Sequence, residues 1–278
     1  MLNRVIWSEL ASGLGIDRQE ELIVGCAGHS LGEYSAIAAS NAAELEALSE
    51  VVLVRAVEMA KAALQQPGTM AAIMANRAQV EELIEQTSIA DVWVANLNST
   101  SQSVVSGSLE GIEELVSAAK SQSIKALRFP VGGAFHTPFM APALPQLAEA
   151  LGKIKWSSPR FPVVTNFGAQ VFGRNIDPVF GGRIEPISAS LDDPDPDPDP
   201  ASRCEFDWTR TLLDQLVNPV RWFESVEVLV GELGANTLVE VGPGNVLTSL
   251  ARRAHPDVNR FQISKPSDIR EFVSAIAE

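Results

Sequence analysis

Apolar and polar positions along the chain change period several times, and each change marks an element. Residues 20–27 carry a short apolar run that predicts a buried strand, and "SLGEYSAIAAS" directly after it predicts a helix, with a glycine-bounded turn between. From about Ala43 to Gln65, Leu45, Leu48, Val52 and Met59 recur at three- and four-residue spacing, while Glu46, Glu50 and Lys61 fall on the opposite side. That pattern predicts an amphipathic helix, and Arg55 lies on its apolar stripe.

Between Gly68 and Pro130 the pattern shortens. "TMAAIMA" reads as strand, "AQVEELIEQ" as helix, "DVWVANLN" and "QSVVSG" as strands, "EGIEELVSAAKS" as helix and "SIKALRF" as strand. This βαββαβ order is that of a ferredoxin-like split βαβ unit, so residues 68–130 are expected to form an inserted subdomain. Residues 1–67 and 131–278 then make a discontinuous main body. It resumes with "VGGAFHTPFM", the helix "APALPQLAEALGKI" and the strand-like "FPVVTN". The helices "FDWTRTLLDQL" and "RWFESVEVLVGELG", the strand "TLVEVG" and a helix after "PGNV" complete it. Strands separated by helices predict an α/β fold with a largely parallel sheet covered on both faces, like the core of an α/β-hydrolase. Inside the main body, "LDDPDPDPDP" at 191–200 alternates proline with aspartate, which forbids a hydrogen-bonded ladder and repels itself. A disordered, solvated insert is expected there.

Composition narrows the function. At 278 residues and 46% apolar content the chain can bury a large core, while its formal net charge of −14 argues against a broad nucleic-acid or anionic-membrane surface. Two cysteines, Cys26 and Cys204, cannot build a disulfide framework, and three histidines leave no four-ligand Cys/His zinc spacing. No metal site is expected, and a reducing interior, cytoplasmic by default, is the expected compartment. No uncharged apolar run reaches the ~18 residues of a membrane span, and no basic-then-apolar leader opens the chain.

Chemistry concentrates at "GHSLGEY", residues 28–34. Ser30 sits in G-x-S-x-G between an expected strand and helix, the setting of a nucleophile elbow, with the Leu31 N–H at the helix start as an oxyanion donor. The plainer alternative is a serine that caps the helix. A serine hydroxyl needs a base, and the chain offers His29, His136 and His255. His29 adjoins Ser30 and should point away from it; His255 ends a basic helix, where a histidine meets the helix dipole. His136, in "GGAFHTPFM" with close-packing glycines and apolar neighbours, is the best candidate base. Arg55, a guanidinium on an apolar stripe, must find an anion: an internal carboxylate such as Glu33 or Glu58, or a substrate carboxylate held in two places.

In order and approximate spacing, "GHSLGEYSA", the helix bearing Arg55, the inserted unit, "GAFHTPFM", "QLVNPVRW" and "EVGPGNVL" resemble the malonyl-CoA:acyl carrier protein transacylases. The resemblance covers nearly the whole chain outside the proline-aspartate insert. It implies a ping-pong transfer in which Ser30 attacks the malonyl thioester, His136 takes and returns the proton, and a malonyl-serine ester awaits the phosphopantetheine thiol of an acyl carrier protein. It further implies that backbone carbonyls orient the base, that Arg55 pairs with the malonyl carboxylate, and that Gln215 lines the site near the histidine. Asn98 and Gln102 fall in the family's loop beside the acyl pocket. Phe135 matches the bulky residue of malonyl-preferring relatives, or is ordinary core packing. No bound cofactor is implied, since malonyl-CoA and the carrier are substrates, and a monomer is favoured.

The family's opening strand and Phe-Pro-Gly-Gln-Gly loop, which supplies a second oxyanion donor, have no counterpart in this sequence, and the chain is expected to begin within a downstream helix. A missing donor predicts turnover lower by about 10²–10³. Acyl carrier proteins are acidic, so docking needs a local positive face; Arg252, Arg253, Arg260 and Lys265, with Lys125 and Arg128, are its candidates. Two other functions stay open: a serine hydrolase of esterase or thioesterase type using the same elbow with His255 as base, and a carrier-binding homologue with impaired catalysis.

Overall fold

The apolar run expected as a strand over 20–27 divides in two: α2 (Ile16–Leu22) takes its first residues, and only Cys26–Ala27 pair, as β1. Asp17, Arg18, Glu20 and Glu21 precede or share the run and are exposed around α2, an arrangement a helix tolerates and a buried strand does not. Arg160 holds this helix down through Glu20 (3.1 Å), Gln19 (3.1 Å) and the Ile16 carbonyl (3.2 Å). The chain is seen here in a computed structural model that describes residues 2–87, 89–173 and 206–276. Cys204 and the proline-aspartate run at 191–200 lie outside the described residues.

Parallel pairing holds in the main body, but the sheet is not continuous among the described residues. β1 pairs parallel with β6 (Val163–Val164), which turns back antiparallel onto β7 (Val171–Phe172); β8 (Thr237–Val241) pairs parallel with β9 (Asn259–Ile263) as a separate sheet. β1 is short because the turn toward Ser30 already begins at Gly28. Apolar stripes on α3 (Leu31–Ala39), α4 (Leu45–Gln65), α7 (Leu144–Leu151) and α8 (Trp208–Val217) converge beside this sheet. Ile37, Leu48, Met59, Met140, Leu147, Leu151, Trp208 and Leu216 form the main core, each large side chain contributing about 1.5–3 kcal/mol through burial. A smaller core joins α1 (Leu2–Leu14) to β9 and α11 (Pro266–Ala275) through Ile6, Leu10, Ile263, Ile269 and Phe272. Among the described residues no helix is long and apolar enough to cross a membrane.

Residues 68–128 form a four-stranded antiparallel sheet of β2 (Gly68–Ile73), β3 (Val92–Ser99), β4 (Gln102–Ser108) and β5 (Ala126–Arg128), in the order β3-β4-β2-β5. α5 (Arg77–Thr87) and α6 (Leu109–Ser121) connect its strands and share with it a core of Ile73, Leu83, Val105, Ile112 and Leu115. Ser108 caps α6 by accepting from the Gly111 N–H at 3.1 Å. The unit is stitched to the main body by backbone. Leu97 N–H donates to the Val220 carbonyl and Val220 N–H to the Ala95 carbonyl, both at 2.9 Å. This carries the end of β3, with Asn98, to the start of α9 (Trp222–Glu227) and so to the edge of the elbow.

Candidate active site

Three residues, Gly28, His29 and Ser30, turn the chain from β1 into α3. Gly28 has no room for a side chain, because a Cβ there would lie 2.0 Å from the Gly32 carbonyl oxygen. Ser30 adopts φ 51° and ψ −106°, a strained conformation for a non-glycine residue that costs about 1–3 kcal/mol unless its surroundings impose it. Asn166, just after β6, imposes it. Its Oδ1 accepts from the Ser30 N–H at 2.6 Å and its Nδ2 donates to the Gly28 carbonyl at 2.7 Å, clamping both sides of the turn. The Ser30 side chain makes no capping bond to α3. Its Oγ instead lies 2.8 Å from His136 Nε2, so the hydroxyl faces an imidazole and not the helix end.

His136 is itself at φ 60° and is 4% exposed. Its Nδ1 faces the Gln215 backbone carbonyl at 2.9 Å, so the ring proton sits on Nδ1 and the Nε2 lone pair is turned to the serine hydroxyl. Burial, then the charge of Arg55, pushes the imidazole down to about 3, so it is neutral and able to accept a proton. Arg55 is 6% exposed and donates from one terminal nitrogen to Ser30 Oγ (3.2 Å) and Gln215 Oε1 (3.4 Å). Its Nε is buried and has no hydrogen-bond acceptor among the described residues. The guanidinium lies over the Tyr34 ring, 5.8 Å from its centroid. Gln215 ties the site together: its Nε2 donates to the Ser30 carbonyl (2.9 Å) and to Glu33 Oε2 (2.7 Å). This is a hydroxyl with a neutral base, beside a cation with an open donor, set at a helix start.

Residues 14–187 match the family model described as the acyl transferase domain. The chain belongs to the acyl transferase family. It is 30% identical over 258 residues to the malonyl CoA-acyl carrier protein transacylase of Bacillus subtilis (strain 168), across 91% of this chain and 71% of that protein. Its fold matches the solved malonyl CoA-acyl carrier protein transacylase of Coxiella burnetii with a TM-score of 0.79 at 29% identity, over 99% of this chain and 77% of that one. A second solved structure, a malonyl-transacylase in complex with its type II PKS acyl-carrier protein, matches at a TM-score of 0.77 and 27% identity, over 98% and 78% of the two chains.

The remaining residues singled out in this acyl transferase chain lie at varied remove from the hydroxyl. Leu31 opens α3, where its N–H has no acceptor inside the helix, while its side chain is half exposed. Asn98 and Gln102 bond to each other (3.1 Å), and Asn98 Oδ1 meets His29 Nε2 at 3.0 Å, so both stand behind the elbow rather than on Ser30, His136 or Arg55. His29 points away from the hydroxyl and packs on Trp222, ring centroids 5.6 Å apart. Phe135 packs between the main core and the Met70, Ala72, Ala95 and Val104 face of the inserted sheet; Gly133 lies under it, where a Cβ would come 2.7 Å from its ring. His255 ends α10 (Val246–Ala254), 2.8 Å from Glu227, and the bond to Ser30 belongs to His136. Arg252 and Arg253 are exposed on the last turn of α10, whereas Arg260 turns inward to the His255 carbonyl at 2.7 Å. Lys265 is exposed and lies 3.9 Å from Asp268, and Lys125 and Arg128 are exposed on the inserted unit.

Sequence reasoning missed Asn166 altogether and considered Glu33 only as a direct partner of Arg55, whereas its oxygens bond Gln215 and Asn166. Glu33 left one signal, a carboxylate in a helix otherwise built of small and apolar residues. Asn166 left none, because only the pairing of β1 with β6 brings it to the turn.

Proposed function

We propose that this chain transfers a malonyl group from malonyl-CoA to the phosphopantetheine thiol of an acyl carrier protein, in fatty acid or polyketide synthesis. Ser30 Oγ attacks the thioester carbonyl while His136 Nε2 accepts its proton, and the Leu31 N–H at the start of α3 meets the developing oxyanion. The imidazolium, steadied by the Gln215 carbonyl, returns the proton to the leaving CoA sulfur, leaving a malonyl-serine ester. In the second half His136 deprotonates the carrier's thiol, which attacks the ester; the proton then goes back to Ser30 Oγ.

Arg55 anchors the malonyl carboxylate. The observation that carries the reading is its unpartnered Nε beside a terminal nitrogen already 3.2 Å from the nucleophile, a buried fork shaped for a carboxylate on the acyl group. In the free protein that nitrogen donates to Ser30 Oγ, so an arriving carboxylate draws the cation off the nucleophile and offsets the positive field that weakens the base. Hydroxyl, imidazole and guanidinium complete the chemistry, so the reading calls for no resident cofactor or metal. Arg252 and Arg253 are the carrier's docking cations, the compartment is the cytoplasm, and residues 68–130 act as a subdomain inserted between 1–67 and 131–278.

The test is intact mass after incubation with malonyl-CoA. A single malonyl addition on Ser30 that is stable in water and discharged by the carrier's thiol is the expected result. Rapid loss to water alone means a hydrolase, and carrier binding with no ester means a non-catalytic homologue.

A further inference from the structure

Glu33 is fully buried, and its two oxygens bond neither the nucleophile nor the base. Oε1 accepts from the Asn166 N–H at 3.2 Å and Oε2 from Gln215 Nε2 at 2.7 Å. The second proton of that amide goes to the Ser30 carbonyl, and its oxygen receives Arg55. All three bonds of the Gln215 amide therefore run in one sense. Reversing it would set oxygen against the Ser30 carbonyl and the Glu33 carboxylate, and NH₂ against the guanidinium.

The sequence allowed Glu33 as a direct partner of Arg55. A direct pair would satisfy the guanidinium internally, and a substrate carboxylate would then have to displace a buried one. The structure places a neutral amide between them instead. Burial lowers the Arg55 guanidinium, Tyr34 and then the Glu33 carboxylate oppose that only in part, and Nε has no acceptor among the described residues.

We propose that Glu33 is a positioning residue: by keying the Gln215 amide it holds Arg55 aimed and unpaired, and so sets the preference of this site for an acyl group that carries a carboxylate. The inference rests on the acyl-transfer reading. Glu33→Gln keeps the shape but turns an NH₂ toward either the Gln215 NH₂ or the Asn166 N–H. In the full chain, with folding checked by circular dichroism and thermal midpoint, single-turnover acylation of Ser30 is followed by intact mass with malonyl-CoA and with acetyl-CoA. The malonyl-to-acetyl rate ratio is expected to fall about tenfold, the loss of one charge-assisted contact. An equal loss with both thioesters, the mark of a general packing defect, overturns the proposal, as does an unchanged ratio.

A second arm needs no chemistry. In Ser30→Ala, adding Glu33→Gln is expected to narrow the preference for malonyl-CoA over acetyl-CoA about tenfold in calorimetric titration. If the unsubstituted chain forms no malonyl-serine yet this preference responds, the transfer reading falls and the role of Glu33 stands. An active chain whose binding preference ignores Glu33, or is absent, does the reverse.

A third arm needs no variant. Burial pushes the Glu33 carboxyl up to about 7, opposed by bonds from Gln215 and Asn166 and by the charge of Arg55. The charged or titratable groups facing it are Arg55 of α4 and Tyr34 beside it on α3; α8 and the segment after β6 present the neutral Gln215 and Asn166. Arg55 remains a cation, Tyr34 is pushed up by burial and stays neutral, and His136 already lies at about 3. The malonyl-to-acetyl ratio of the unsubstituted chain should therefore fall as pH is lowered through about 7. A flat ratio between about pH 6 and 8 overturns the proposal even if Glu33→Gln fails to fold.

Discussion

Arg55→Ala removes one buried cation to which the proposed transfer gives two jobs, one toward the acyl group and one toward Ser30. Toward the acyl group it offers Nε and a terminal nitrogen; two charge-assisted bonds to a carboxylate, each worth about 1.5–3 kcal/mol, sum to about 3–6 kcal/mol. At tenfold per ~1.4 kcal/mol this lowers kcat/KM for malonyl-CoA by about 10²–10⁴. Toward the nucleophile it makes a single 3.2 Å bond to Ser30 Oγ, formed in the free protein, so acetyl-CoA should change by no more than about tenfold in either direction. Removing the guanidinium also withdraws the charge that helps hold the His136 imidazole down, so the acid limb of the remaining activity should move to higher pH. Arg55→Lys keeps the charge without the planar fork and should fall between the two. The assay is the initial rate of Ser30 ester formation with each thioester across pH. An unchanged malonyl-to-acetyl ratio, or equal losses with both, would remove Arg55 from the acyl pocket and refute the reasoning.

Other expectations follow from single contacts. Gly28→Ala would drive a Cβ into the Gly32 backbone, so the turn must open; malonyl-serine formation should drop by at least about 10² and the thermal midpoint should fall, whereas Gly32→Ala, with nothing within 4 Å of its Cβ, should fold normally. His136, at about 3 when folded against 6.5 as its ordinary value, binds fewer protons folded than unfolded between those limits. Its contribution of at most about 5 kcal/mol is present above pH 6.5 and lost as pH falls toward 3, so His136→Gln should flatten the acid side of a denaturation profile. Glu33 acts with the opposite sign: raised from 4.5 to about 7, its contribution is full below 4.5 and lost as pH rises through 7, which Glu33→Gln should remove. Reversing Arg252 and Arg253 to glutamate should raise the carrier's apparent KM by about three- to tenfold and leave that for malonyl-CoA unchanged, since both face solvent; no change in the carrier's KM would rule out this docking face.

Much of the molecule was legible in the order of its residues because the governing physics there is local. Helical spacing marked α4 and put Arg55 on its buried face, alternation and turn residues marked β2 to β5, and G-x-S-x-G between apolar run and helix singled out Ser30. The apolar run at 20–27 misled, because apolar content alone does not separate the end of an amphipathic helix from a strand, and charges before it made α2. That the core strands fall into two separate sheets among the described residues was equally hidden, since which strands pair depends on contacts far apart in the chain.

What the sequence by itself determined was the inventory: a hydroxyl on a tight turn, three imidazoles to choose among, and a guanidinium with nowhere apolar to hide. Only the tertiary structure decided the assignments. It took 106 residues of chain to bring His136 to Ser30, 136 to bring the Asn166 clamp, and 185 to lay the Gln215 amide on the Ser30 carbonyl between Arg55 and Glu33. The physical reason is that hydrogen bonds and buried charges are satisfied by distance in space, which sequence spacing encodes only within a helix, a strand or a turn.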